Sequence, residues 1–326
     1  MNRFSGRRWL HLLLLGGLTV GIIALLLRYV TLADIAAALA SVGPAWLGAS
    51  FLLYILSTTL RAARFQYLLR GRIRFPAMLR IVYLQNLANN LLPNMLGELS
   101  FVYLAKRESD ISSGEAGATL VVARLFDLLA VFGLTVVALL LLPSPPSQFS
   151  TLLFWFGVFL ALLFCVITVS LVHEHRVVAL SERFAAFSRL DRISVVPWAL
   201  RKMRQVIAAL HTMREGRTLL VCSLVSLAVW GLAYAQVYIL LAAMGSTVTF
   251  LTAALGTSLY RLASALPVYG IAGFGTVELT WSAAFVLLGM SAHDAIISGF
   301  AVHIIMLSYA VLLGVIASWL HSLSRA

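Results

Sequence analysis

The sequence predicts an all-α polytopic membrane protein, with about six full transmembrane helices and two re-entrant, broken helical hairpins in an inverted repeat. Three observations predict it. First, 61% of the 326 residues are hydrophobic and 11% are charged, with a mean hydropathy of +0.97. Soluble domains carry roughly 25% charged residues, and a soluble fold this poor in charge has too little to cover its surface. Second, several uncharged apolar runs reach the roughly 20 residues needed to cross a bilayer. Third, two runs of the same apolar density are interrupted by Asn, Pro, Gly and Glu. Lone proline removes a backbone donor and disfavours helix in the residue before it. In hydrocarbon, a segment with unsatisfied backbone persists only where protein or a wet cavity surrounds it.

The whole chain reads as one integral membrane domain, with a first half over residues 1–142 and a second over 150–326. Arg3, Arg7 and Arg8 precede an apolar run at 9–27, longer than the 7–15 residues of a signal h-region. We expect an uncleaved first span with its N-terminus inside. Residues 31–42 are Ala-rich and mildly amphipathic, suiting an interfacial helix. Pro44 opens a second span to about residue 69, followed by a run of arginines. Arg61 and Arg64, three apart, share a face at its end. Two readings stand there, snorkelling to cytoplasmic headgroups or a headgroup entry patch that faces phosphate.

The first broken segment covers about 78–104. It contains Asn89, Asn90, Pro93, Asn94, Gly97 and Glu98 between basic flanks. Both flanks are cytoplasmic by the positive-inside rule, which predicts a re-entrant hairpin with Pro93 and Asn94 near its tip. Residues 114–142 form the next span. It carries Arg124 and Asp127 on one face, and ionisable groups at such depth are functional candidates or structural ion pairs. An uncharged Pro/Ser turn leads to a span at 150–172. Residues 173–217 then hold nine Lys/Arg against four Asp/Glu, with apolar residues at helical spacing. Basic amphipathic helices on the inner leaflet fit this loop.

Residues 218–243 span outward. The second broken segment, about 250–289, contains Arg261, Pro267, Gly270, Gly273, Gly275 and Glu278. Residues 295–320 span back, leaving the C-terminus inside. Cys165 and Cys222 lie in apolar runs and make no disulfide framework. His173 and His175 flank Glu174 without metal-ligand spacing. We therefore expect no metal and no cofactor. The 24 Lys+Arg against 12 Asp+Glu sit in a few loops, so anionic lipid, not nucleic acid, is the expected partner.

The halves repeat weakly. Glu98 is followed 26 residues later by Arg124, and Glu278 is followed 25 residues later by His303. One hairpin would open inward and the other outward, an alternating-access arrangement. Half-helix N-termini after the turns would offer N–H groups and a positive dipole end. With Arg124 and Arg261 these suit a phosphate or other anionic headgroup. Glu98 and Glu278 would neutralise the arginines, bind a cationic group or carry a proton.

Four motifs carry a resemblance: Arg61-Ala62-Ala63-Arg64; Asn90-Leu91-Leu92-Pro93 with Gly97-Glu98; Arg124-Leu125-Phe126-Asp127; and residues 270–275, GIAGFG, with Glu278. At these the chain resembles the transmembrane region of lysylphosphatidylglycerol synthases and their stand-alone, flippase-like relatives, over roughly residues 9–320. The resemblance implies a bacterial inner-membrane protein with two re-entrant hairpins that moves a lipid or lipid-linked headgroup between leaflets. It also implies relatives beside glycosyltransferases and in envelope pathways. His303 departs from the pattern, standing where a second arginine is expected. No soluble acyltransferase domain follows Ala326, so the expectation is a translocator and not an aminoacyl-lipid synthase. Two other readings remain. One is an accessory subunit whose basic loop docks a cytosolic glycosyltransferase. The other is a membrane transferase using lipid-phosphate donors, against which stands the lack of a nucleotide loop, an H-E-x-x-H motif or clustered metal ligands.

Overall fold

The structure, a computed structural model, describes residues 17, 19–92, 94–142, 216–263 and 270–323. Most of the expected span at 9–27, the span at 150–172, nearly all of the basic loop, Pro93 and Pro267 lie outside the described residues.

Within them the chain is helical throughout. Helical residues 19–26 lead to α1 (Leu32–Ser41). It is opened by a capping box, in which Thr31 accepts from Asp34 N–H and the Asp34 carboxylate accepts from Thr31 N–H. This satisfies two donors that a helix start otherwise leaves open. α2 (Pro44–Leu68) starts on a proline, which has no N–H to lose there. α3 (Phe75–Leu91) and α4 (Asn94–Glu108) follow. α5 (Ser113–Leu141) is capped by the Ser112 hydroxyl. α6 (Gly216–Ala243), α7 (Phe250–Ala263), a 3-10 turn (Ile271–Gly273), α8 (Thr276–Leu287) and α9 (Ala292–Leu323) complete the described chain.

Four of these helices are long and apolar enough to cross a membrane: α2, α5, α6 and α9 through Trp319. They match four of the six expected spans, with ends displaced by no more than three residues. The other two expected spans fall mainly outside the described residues. The broken segments give shorter helices. α3 and α4 have 17 and 15 residues, roughly 25 and 22 Å long. α7 and α8 have 14 and 12 residues, roughly 21 and 18 Å.

Each short pair folds back on itself. In the first, Gly97 of α4 comes so close to Asn89 of α3 that a Cβ on Gly97 would lie 2.8 Å from the Asn89 backbone nitrogen. In the second, the Tyr260 and Trp281 rings lie 5.2 Å apart, and Gly256 lets α7 lie directly on the Phe285 ring.

The first hairpin packs with α2 and α5 around Phe65, Met78, Ile81, Phe101 and Leu120. Phe65 and Phe101 stack with centroids 4.3 Å apart. The second packs with α6 and α9 around Leu240, Trp281, Phe285 and Val302. α9 also lies on α3, where Gly314 admits Leu87. The 3-10 turn of the second hairpin touches α3 of the first, so the two interrupted regions meet.

Between membrane helices apolar burial discriminates little, because lipid is as apolar as the core. Packing and interhelical hydrogen bonds take over, each bond contributing about 0.6 kcal/mol. α2 and α6 are tied by Gln236 Nε2, which donates to the Ser50 carbonyl at 3.1 Å. α6 and α7 are tied by Tyr234 and Ser258 at 2.6 Å. The Tyr309 hydroxyl of α9 donates to the Leu47 carbonyl of α2 at 2.9 Å.

Candidate functional site

Charged residues from four elements converge on the inward face of α5. Asp127 accepts a bidentate pair from Arg64 of α2, Nη1 to Oδ1 at 2.6 Å and Nη2 to Oδ2 at 3.0 Å. Arg64 also donates to the Ser226 hydroxyl of α6. The two side chains are 1% and 7% exposed. Burying a single charge costs several kcal/mol even after relaxation, so each is tolerable here only with the other. Arg64 is therefore neither snorkelling to headgroups nor at an entry surface. The fork geometry of its guanidinium explains this, since it meets both carboxylate oxygens at once.

One turn before Asp127, Arg124 faces the first hairpin. Its Nε donates to Glu98 Oε2 at 3.1 Å and its Nη2 pairs with Oε1. Its Nη1 lies 3.7 Å from Asp127 Oδ2. This pair is open where the other is closed, with Arg124 39% and Glu98 27% exposed. Arg61, one turn before Arg64, donates from Nη1 to Asn86 Oδ1 at 3.1 Å. Asn86 in turn donates to the Thr58 hydroxyl at 3.3 Å, and Asn90 Nδ2 donates to the Asn86 carbonyl at 2.8 Å. The buried Nε of Arg61 has no hydrogen-bond partner among the described residues.

Arg261, at the end of α7, sits over the Tyr260 ring with its guanidinium carbon 4.9 Å from the centroid. Its helix packs against α5, the helix that carries Arg124 and Asp127. Three arginines and two carboxylates thus form the cluster, and α7 brings a fourth arginine to the helix that holds it.

The second hairpin carries its own buried acid. Glu278 is fully buried and His303 nearly so. His303 Nδ1 lies 2.7 Å from Glu278 Oε1, and Glu278 Oε2 accepts from Gly275 N–H at 2.7 Å. The Phe274 and His303 ring centroids are 4.7 Å apart.

The turn is built for this. Gly273 and Gly275 have φ of 78° and 83°, the left-handed region where side chains are strained. Gly270 N–H donates to the Thr276 hydroxyl at 3.2 Å, and Ile271 N–H to the Thr19 hydroxyl at 3.0 Å. Three N–H groups of the turn, at Gly270, Ile271 and Gly275, are thus taken by side chains. Glu278 serves its own helix start and His303, not Arg261.

The structure therefore joins Arg61, Arg64, Arg124, Asp127, Glu98 and Asn90 into one region, with Arg261 beside it. It gathers Gly270, Gly273, Gly275, Glu278 and His303 into another. Asn94 opens α4. Sequence reasoning left out Ser226, Thr58 and Thr19, whose hydroxyls complete these networks, and Asn86 as a ligand of Arg61. Asn86 had a signal, an amide inside an apolar run. A serine or threonine in a span has none, because such residues satisfy themselves on their own helix.

A separate cavity of about 620 Å³ opens between the α6–α7 and α8–α9 connections, with Ser246, Thr249, Thr252 and Ser298 in its wall. Its nearest wall residue on α6, Leu241, lies about 22 Å further along that helix than Ser226.

Long apolar helices around buried charges define a multi-pass helical membrane protein. The chain matches the family described as the lysylphosphatidylglycerol synthase TM region over residues 9–314, and belongs to that family. A stretch of 125 residues, 37% of the chain, is 29% identical to glycosyltransferase AglD of Haloferax volcanii. It spans 20% of that protein's length. No solved structure matches the chain.

Proposed function

We propose that this protein moves a lipid or lipid-linked headgroup, phosphate-containing, between the leaflets of the bacterial inner membrane, and that it is a translocator and not an enzyme. One observation carries the reading. Arg124 lies about 17 Å along a 29-residue helix, at a depth where a charge facing hydrocarbon is costly. Yet its side chain and that of Glu98 are 39% and 27% exposed. Exposed charges at that depth call for a wet cavity, and four arginines against two carboxylates give it a positive balance suited to an anion.

The two hairpins supply the moving parts. Their arms fall short of the roughly 30 Å hydrocarbon core, which favours re-entrant segments entering from opposite faces as an inverted repeat. Acyl chains would stay in the bilayer while the headgroup passes between the hairpins. Basic flanks favour cytoplasmic N- and C-termini.

A second reading draws on the likeness to a glycosyltransferase, which covers only a fifth of that protein. In it the chain is the membrane subunit of a lipid-linked glycosylation or envelope pathway, and the loop at 173–217 docks a cytosolic enzyme. A third, a transferase acting on lipid phosphates, has only the intramembrane carboxylates in its favour.

Reconstitution separates them. Liposomes containing the purified protein and fluorescent anionic, zwitterionic or polyprenyl-phosphate lipids are treated with an impermeant quencher. Faster loss of inner-leaflet fluorescence for phosphate headgroups than in protein-free liposomes is expected, and Arg124→Gln should abolish the gain. Movement unchanged in that variant overturns the site. No movement with any lipid by folded wild type moves the weight to the accessory reading, and a new lipid product moves it to the transferase.

A further inference from the structure

We infer that Glu98 is a resident stand-in for the transported anion: the phosphoryl group takes its place on Arg124, and this exchange detaches the first hairpin from α5. The inference rests on the translocation reading and deepens it.

The two ion pairs of the cluster differ in kind. Arg64 and Asp127 are sealed from solvent, doubly bonded, and joined by Ser226. Breaking such a pair strands a buried charge, so it cannot be the exchanging one. Arg124 and Glu98 are both partly exposed. Exposed pairs contribute little net stability, because water and other ions compete for each partner. The Arg124 fork presents Nε and Nη2 to the two oxygens of Glu98. Phosphate oxygens accept the same fork in the same bidentate way.

The neighbours favour an incoming phosphoryl group, most strongly a dianionic monoester, over the resident carboxylate. Arg61 is held by an amide, with its Nε unbonded, and Arg261 rests on an aromatic ring. Neither has a carboxylate partner among the described residues. A phosphoryl group on Arg124 would gain the field of both. Glu98, fixed to α4, cannot follow it.

Position links this exchange to movement. Glu98 stands in the first turns of α4, just past the break, while Arg124 belongs to a full span. Their pair is a clasp between the hairpin and the rest of the protein. An anion on Arg124 opens the clasp, and the return of Glu98 expels the anion. Binding and release thereby use one residue, and the cation is never left bare.

The test measures affinity and transport separately. Full-length protein in detergent is titrated calorimetrically with inorganic phosphate and, in a second arm, with short-chain phosphatidic acid and phosphatidylglycerol. Glu98→Gln removes the competitor, and is expected to tighten binding of the phosphoryl ligand at least tenfold while slowing lipid movement in liposomes. Arg124→Gln should lose binding. Glu115→Gln, in the exposed pair with Arg72, should leave both unchanged.

Tightening seen with inorganic phosphate alone assigns the site to a free anion, and overturns the lipid part of the proposal. Tightening seen with the lipids supports it. Equal or weaker binding in Glu98→Gln protein with a wild-type melting profile overturns it. If that variant fails to fold, Glu98→Asp, whose shorter arm loosens the same clasp, must show an intermediate gain or the proposal falls. Tighter binding in Glu98→Gln without lipid movement by wild type would sink translocation and leave the exchange standing.

Discussion

Asp127 receives Arg64 on both oxygens in a region closed to solvent, which makes this the residue pair on which local stability most depends. Asp127→Asn should cost about 3–5 kcal/mol, because the guanidinium is left buried without its counter-charge. Thermal unfolding in detergent measures it. A double replacement, Arg64→Met with Asp127→Leu, should recover most of the loss, since well-packed apolar residues often substitute for a buried ion pair at no net cost. A double variant as unstable as the single one would mean that packing around α2 and α5, not the stranded charge, sets the penalty. The sequence placed Arg124 and Asp127 on one face of a helix, which is correct at 3.7 Å. It gave no hint that Asp127's main partner lies 63 residues earlier. Spacing along one helix is readable from a period of 3.6 residues, whereas a partner on another helix depends on which helices become neighbours. The basic residues 26 and 25 positions after Glu98 and Glu278, read from the sequence only as a sign of a weak repeat, are the ones those acids meet.

Among the helical elements, the first hairpin depends on a single missing side chain. A Cβ on Gly97 would overlap Asn89, with backbone atoms on the receiving side. Backbone cannot rotate away, so Gly97→Ala must part α3 from α4. A loss of about 1–3 kcal/mol is expected from that overpacking, together with slower lipid movement. Gly133 in α5 is the contrasting case, because a Cβ there meets nothing within 4 Å. Gly133→Ala should leave transport intact and raise stability by up to about 1 kcal/mol through helix propensity. Equal effects of the two substitutions would show that α3 and α4 are not closely apposed. The sequence located this break through Asn90, Pro93 and Gly97. It did not show what Gly97 approaches, because glycine near a proline signals a turn as readily as a close contact. At the second break the sequence expects N–H groups at the start of the half-helix after the turn, and the structure adds that Thr19, Thr276 and Glu278 fill three N–H groups of the turn itself; Thr19, 252 residues from Ile271, could not be read from local spacing.

For the molecule as a whole, the short arms make a claim about depth that labelling can check. α3 ends at Leu91 after roughly 25 Å, and Leu92 beside the break is exposed. In a bilayer core of about 30 Å, a hairpin entering from the cytoplasm leaves this tip short of the far surface. Single-cysteine variants, with Cys165 and Cys222 replaced by alanine, report which side each position faces to an impermeant maleimide. Arg74→Cys and Asp110→Cys flank the first hairpin at exposed sites, and Thr247→Cys and Ala292→Cys flank the second. The first two should label only from the cytoplasmic side and the last two only from the outside. Leu92→Cys should resist the outside reagent and react from the inside, through the proposed polar path beside Arg124, with anionic lipid slowing the reaction. Labelling of Leu92→Cys from outside would make α3 and α4 a crossing pair and remove the re-entrant arrangement. Labelling of positions 74 and 247 from one side would remove the inversion, and alternating access would lose the symmetry by which the two hairpins open in turn.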